Sequence, residues 1–457
     1  MGSYIPNTES DRREMLKFLG KSSVDKLFAA VPQGVKVKNL NLSSGLTELE
    51  LSRKIKTIAQ KNKVFPVIFR GAGAYRHYIP AAVKRICSAE TFLTAYTPYQ
   101  AEISQGILQG IFEYQTMICE LTGMDVSNAS AYDGASAAAE AVNMCSDIVR
   151  TDSTAGTRQN VYVSAASHPH VIQTIETYCF GYGINVSLVP CCADGKTDLR
   201  ALEKILASDP NAGCFYLQSP NFYGLIEEVK DIAKKVHAAG ALLVQGVNPM
   251  SLGIMESPGE NGADIAVGEG QSLGLPLAFG GPYLGFMACK KNLMRKMPGR
   301  IVGETTDSRG ERAFVLTMQA REQHIRREKA SSNLCSNEAL CALTAAVYLS
   351  VMGQEGFAEA GRQCHSKAVY AANKIREIPG FQLIYKGEFF NEFVSSCPDS
   401  EKVLRLLEEK NILGGYPLAK DRILWCVTEV NTKEEIDELV LLLSHANMPS
   451  SLPGVSR

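Results

Sequence analysis

Charge of one sign is what this sequence most plainly lacks. Its 47 Lys and Arg meet 48 Asp and Glu, a formal net charge of −1, so no overall field draws the chain towards nucleic acid or anionic lipid. Long apolar runs are missing as well. No stretch supplies the ~18 consecutive apolar residues of a membrane span. The opening MGSYIPNTESDRREMLKFLG has no apolar h-region, and Glu9, Asp11 and Glu14 are out of place in an acid-poor transit peptide. Thirteen cysteines are present, yet no two stand in C-x2-C spacing, and Cys191 and Cys192 are adjacent. Neither structural zinc nor a disulfide framework is therefore expected, and reduced, buried thiols in a cytoplasm are. There is no repeat period, Walker A loop or H-E-x-x-H pair, which removes solenoids, P-loop NTPases and zincins from consideration.

What is present is ordinary globular composition, 45% hydrophobic and 21% charged over 457 residues, enough for more than one domain. Residues 1–70 read as a helical arm, with helices expected over Glu9 to Leu19 and Thr47 to Lys61. From residue 71 to 335 the pattern changes to short apolar runs alternating with helices. Val161–Val163, Val186–Val189, Cys214–Leu217, Leu242–Val244, Ile265–Val267 and Leu284–Met287 are the expected strands. Val171–Phe180, Asp198–Ala207 and Glu227–Ala239 are the crossover helices between them. This is the signature of an α/β fold with a mostly parallel sheet, whose ligands gather at the carboxyl ends of its strands. Residues 336–457 read as a linking helix and a small C-terminal α/β domain. Its strands are expected near Gln382–Ile384, Glu388–Val394 and Ile423–Cys426, and its helices over Ser400–Glu409 and Thr432–Leu443, each capped by Ser or Thr.

Several segments carry chemistry-capable residues. Gly71-Ala72-Gly73-Ala74-Tyr75-Arg76 starts like a dinucleotide fingerprint but has Arg76 in place of the third glycine. Asp133-Gly134-Ala135-Ser136 opens a small-residue helix, a start that suits either an anion or a plain N-cap. His168, in Ser167-His168-Pro169-His170, follows a strand and so belongs at a ligand-facing end or in an idle loop. Tyr96, Tyr99, Gln100 and Glu102 cluster on a Pro-marked turn. Arg321, His324 and Arg326 precede Ser331 and Ser332; the arginines suit either a solvated face or a bidentate clamp on carboxylate or phosphate.

Four long motifs in order, TAYTPYQAEISQG, SHPH, GEGQSLGLPLAFGGPYLGF and REQHIRREKASSNLC, resemble the glycine decarboxylase P-protein family, and within it the first subunit of the split bacterial form. The resemblance spans nearly the whole chain. It implies a fold-type I pyridoxal-phosphate (PLP) transferase-like large domain, with active sites at the interface of two such chains. It also implies a complex that decarboxylates glycine and passes the aminomethyl group to the lipoyl arm of H-protein.

PLP chemistry needs a lysine to hold the aldehyde and an acid on the pyridinium nitrogen. At the positions matching the catalytic half, this sequence has Gln271 for the lysine and Gln245 for the aspartate. The implied reading is a subunit with no covalent PLP of its own, whose PLP-bearing partner is subunit 2 in an α2β2 complex. Tyr96, Tyr99, Gln100, Glu102, Arg321, His324 and Arg326 would then line the interface or substrate channel. Ser136, His168, Ser331 and Ser332 would be relics of a cofactor pocket or an anion site. A non-catalytic binding or regulatory protein that retains the fold is the alternative.

Overall fold

The computed structural model describes residues 7–37, 41–92, 98–151 and 160–446. The chain divides into two compact units, Met1–Val64 and Phe65–Arg457. In the first, the helices Glu9–Phe18 and Glu48–Ala59 each begin in a capping box, Thr8 with Asp11 and Thr47 with Glu50. Both satisfy orphan N–H groups at their starts. None of this unit's described residues is buried.

The second unit is built on a seven-stranded sheet. Its strands in chain order are β1 (Val126–Ser127), β2 (Asn160–Ser164), β3 (Asn185–Val189), β4 (Ala212–Gln218), β5 (Leu242–Val247), β6 (Ile265–Glu269) and β7 (Gly285–Cys289). Across the sheet they run β1-β7-β6-β5-β4-β2-β3, all in one direction except β7, which is antiparallel to both β6 and β1. The six sequence-expected strands are all here. Cys214, Phe215, Tyr216 and Leu217 are all buried because helices cover both faces of the sheet, which makes the strands read as unbroken apolar runs. One face packs under the helices Gln105–Thr122 and Val229–Ala238, the other under Gly134–Thr151 and Pro169–Tyr182.

The helix Ala339–Ile375 is bent at Gly353, whose φ of 61° and ψ of 175° leave the helical region. Glycine takes that positive φ without a Cβ clash. By length and composition this element would suit a membrane, but it contributes Ala342, Ala345, Tyr348, Cys364 and Ala368 to the protein core. Beyond it, Glu392–Ser396, Arg422–Cys426 and Tyr416–Ala419 form a three-stranded antiparallel sheet around the fully buried Trp425. The indole Nε1–H donates to Ser395 Oγ at 2.8 Å. Val67 and Ile68 pair in parallel with Ile412 and Leu413, so the chain entering the large domain is stitched to the C-terminal one.

Some local details depart from the sequence pattern. The helix Ser400–Glu409 is capped by the Asp399 carboxylate, not by Ser400, while Thr432 does cap the helix Lys433–Ala446. Gln382–Ile384 supplies a single bridge, Leu383 to Ser395, in place of a strand. A hairpin of Ile301–Thr306 and Arg312–Thr317 was not foreseen, since its Glu, Thr and Arg residues carry no apolar alternation.

Candidate functional site

A cavity of about 310 Å³ opens at the carboxyl ends of β4, β5 and β6 and the loop after β2, the place this sheet topology reserves for ligands. Gln218, Asn248 and Glu269 come from those ends, His168 from the loop, and Gly134 from the start of a helix. The loop Gly71–Arg76 forms one wall. A Cβ on Gly134 would come within 2.7 Å of the Glu269 amide nitrogen, so only glycine lets the helix start this close to β6.

Ala72 and Tyr75 of this wall are paired within the chain. The Gln271 amide accepts from Tyr75 N–H at 2.9 Å and donates to Tyr75 O at 2.9 Å and Leu275 O at 2.8 Å. Glu392 accepts from Ala72 N–H and from the Tyr75 hydroxyl, each at 2.7 Å. His168 Nδ1 accepts from His170 N–H at 3.1 Å, so its proton sits on Nε2 and goes to Ala72 O at 2.9 Å. Burial holds this imidazole below its usual pKa. These contacts fix Ala72 at φ 58°, a left-handed conformation uncommon for alanine.

The helix start carries its own anions. Gly134 N–H donates to Glu269 Oε2 at 3.0 Å, and Ser136 N–H to Asp133 Oδ1 at 2.7 Å. Glu269 Oε1 also accepts from Gln271 and Leu284 N–H. Burial pushes Glu269 up to about 7 against the pull of those donors. The free N–H groups that would receive a phosphate are thus partly consumed by two side-chain carboxylates. Gln245 lies on β5 with its Oε1 buried and without a hydrogen-bond partner. No lysine is among the described residues lining the cavity.

A second cavity, about 170 Å³, is enclosed by Tyr99, Met297–Arg300, Arg321–His324 and Ser331–Cys335. Arg300 Nη2 donates to the Tyr99 hydroxyl at 2.9 Å and Nη1 to Ser336 O at 3.2 Å, with the guanidinium 5.1 Å from the Tyr99 ring centre. Arg321 Nη1 donates to Met297 O. Glu322 sits 3.8 Å from Arg300 Nε and 3.6 Å from His324 Nδ1. Ser332 Oγ donates to Glu140 Oε1 at 2.9 Å, and burial pushes Glu140 up to about 7.

Residues 2–443 match the family model described as glycine cleavage system P-protein. The chain belongs to that family. It is 48% identical over 450 residues to "Probable glycine dehydrogenase (decarboxylating) subunit 1" of Desulforamulus reducens, covering 96% of this chain and 99% of that one. The Moorella thermoacetica protein of the same name is 50% identical, with 96% and 98% covered. A crystal structure of glycine decarboxylase (P-protein) in inhibitor-bound form superposes with a TM-score of 0.89 at 39% identity, over 97% of this chain and all of that one. Burkholderia pseudomallei sphingosine-1-phosphate lyase superposes at 0.65 with 14% identity, over 92% and 94% of the two chains, a likeness of fold alone. The architecture is fold-type I, that of PLP-dependent transferases, with a small C-terminal α/β domain.

For this P-protein family member, the sequence-expected residues separate into groups. His168 lines the first cavity, while Gln271 lies buried behind its wall, bonded to the lining Tyr75, and Ser136 donates its backbone N–H to the lining Asp133. Tyr99, Arg321, His324, Ser331 and Ser332 come together around the second. Gln100, Glu102 and Arg326 stand exposed on short helical turns outside the lining of either. Tyr96 lies outside the described residues. Sequence reasoning missed Arg300 and Glu392, which sit in none of the four motifs, and passed over Glu322, which lies inside the last of them. It also passed over the G-x-S-x-G spacing of Gly270–Gly274. Ser272 Oγ there is buried without a hydrogen-bond partner, so no base activates it.

Proposed function

We propose that this chain is the PLP-free half of a two-chain glycine dehydrogenase (decarboxylating), completed by a PLP-bearing second subunit. The observation that carries the reading is Gln271. At the position matching the catalytic half's lysine stands an amide with no nucleophilic nitrogen, already spent on Tyr75 and Leu275. The first cavity's residues do not fit PLP. No lysine is among the described residues that line it, Gln245 offers no anion for a pyridinium nitrogen, and Glu269 and Asp133 hold N–H groups at the helix start.

In this reading the complex decarboxylates glycine, releases CO2 and transfers the aminomethyl group to the lipoyl arm of H-protein in the bacterial cytoplasm. This chain supplies the pseudo-twofold counterpart of the catalytic subunit in an α2β2 assembly. Tyr96, Tyr99, Gln100, Glu102, Arg321, His324 and Arg326 serve the shared interface or channel. A pure scaffold needs apolar area, whereas these residues are polar and several of them wall one cavity.

Borohydride trapping of the two-chain complex with PLP, followed by peptide mass spectrometry, tests this reading. A pyridoxyl-lysine confined to the partner is expected. The label on this chain would overturn the reading and make it an autonomous PLP enzyme.

A further inference from the structure

The second cavity has more cationic hydrogen-bonding capacity than the chain uses. Arg300 is 8% exposed, and its Nε has no hydrogen-bond partner; nor do Arg321 Nε and Nη2. Guanidinium donors left unpaired in a buried setting cost more than almost any other polar group, so native proteins pair them. Two guanidiniums face the single carboxylate of Glu322, an excess of one positive charge in the cavity lining. Glu140 lies behind Ser332, and burial favours its neutral form. Among the remaining lining groups, Ser331, Asn333 and His324 offer hydroxyl, amide and imidazole donors, while the Ser332 hydroxyl is spent on Glu140.

From this arrangement we infer that the cavity binds a small carboxylate between Arg300 and Arg321. A planar carboxylate accepts paired N–H donors from a guanidinium and supplies the missing negative charge. The space of about 170 Å³ suits an acid of glycine size rather than a nucleotide. Glycine as the natural source rests on the function proposed above; the carboxylate site itself does not. A carboxylate reaching in from a partner chain offers the same chemistry from a second source.

Cys335 lines the same cavity, with Sγ 3.8 Å from both Nη atoms of Arg300, and so serves as a native reporter. The full chain is alkylated with iodoacetate, which carries a carboxylate, or with neutral iodoacetamide, and each cysteine is followed by peptide mass spectrometry. In either case the thiolate displaces iodide and forms a thioether. The rate ratio for each thiol is divided by the ratio for the same thiol in the unfolded chain. We expect the normalised ratio at Cys335 to exceed 1 by about tenfold, the effect of one charge-assisted pair. At the exposed Cys192, outside the cavity, it should stay near 1.

Glycine and acetate should protect Cys335, and glycinamide should not. Arg321→Gln should abolish both the preference and the protection while leaving Cys192 labelling unchanged. The wild-type ratios stand as a test even if that variant folds poorly. A normalised ratio at or below 1 at Cys335 overturns the inference, as does equal protection by glycinamide. Stronger protection by inorganic phosphate than by acetate assigns the site to phosphate instead and overturns it too. In the two-chain complex, continued glycine-sensitive labelling supports a free acid as occupant. Complete loss of Cys335 labelling by both reagents assigns the guanidiniums to a partner carboxylate and overturns the free-acid site. Borohydride trapping reads none of these quantities, so the two readings fail separately.

Discussion

The two cavities of the large domain meet the same problem, polar groups taken out of water, in opposite ways. In the first, Gln271, His168, Glu269 and Glu392 pair with Tyr75, Ala72 and Gly134, and of the groups named there Gln245 Oε1 on β5 stays unpaired. In the second, Arg300, Arg321 and Glu322 retain buried atoms without partners. A pocket whose polar groups are internally matched gains rigidity and loses its claim on a ligand; one left unmatched keeps that claim. The difference shows where a chain without its own cofactor chemistry still has something to contribute.

The sharpest way to break the contrast is Arg321→Met. Turnover of the two-chain complex should fall by about 10- to 100-fold, since hydrogen bonds to charged groups contribute ~1.5–3 kcal/mol. Stability in denaturant should hold or rise, because an incompletely paired buried cation is removed. Loss of both together would make Arg321 structural.

Gln271→Ala should act the other way round. It strips partners from Tyr75 N–H, Tyr75 O and Leu275 O and should cost about 2–4 kcal/mol in urea melts of this chain. Gln271→Lys should acquire no pyridoxyl label after borohydride. Its appearance would show that one residue alone separates this cavity from a working one.

A third effect lies in pH. Burial pushes Glu392 up to about 7 from an ordinary 4.5, because the charged form is the costly one beneath Ala72 and Tyr75. The folded state therefore holds this proton more tightly than the unfolded chain does. Its stabilisation is complete below pH 4.5 and is lost as pH rises towards 7, with a ceiling of ~3 kcal/mol. Glu392→Gln should flatten the stability profile between those limits in thermal melts across pH. An unchanged slope would place the titration elsewhere. The smallest effects belong to the exposed pair: Gln100→Ala and Glu102→Ala should each move the stability of the isolated chain by less than ~0.5 kcal/mol. A larger shift in affinity for the second subunit, read by titration calorimetry, would confirm them as interface residues.

Much of the sheet was legible because strands buried on both faces announce themselves, as Cys214–Leu217 and Ile265–Val267 do. The edge strand Val126–Ser127 was not, since two residues carry no period. The same limit applies to the sites. Gln271 stood out because a long motif surrounds it, but the sequence set Ser331 and Ser332 with His168 and Ser136, whereas they line the second cavity beside Tyr99 and Arg321. Arg300 and Glu392 were invisible. Their roles come from partners 201 and 320 residues away in sequence, Tyr99 and Ala72, and tertiary contacts of that range leave no local trace.

Glu269 has one more consequence. As a side chain on β6, it meets the helix start at Gly134 as a tethered competitor, at an effective concentration set by the fold and not by the solution. Any free phosphate approaching that helix contends with a carboxyl acceptor that never dilutes away. The occupancy of the first cavity is thereby insulated from the metabolite levels around it.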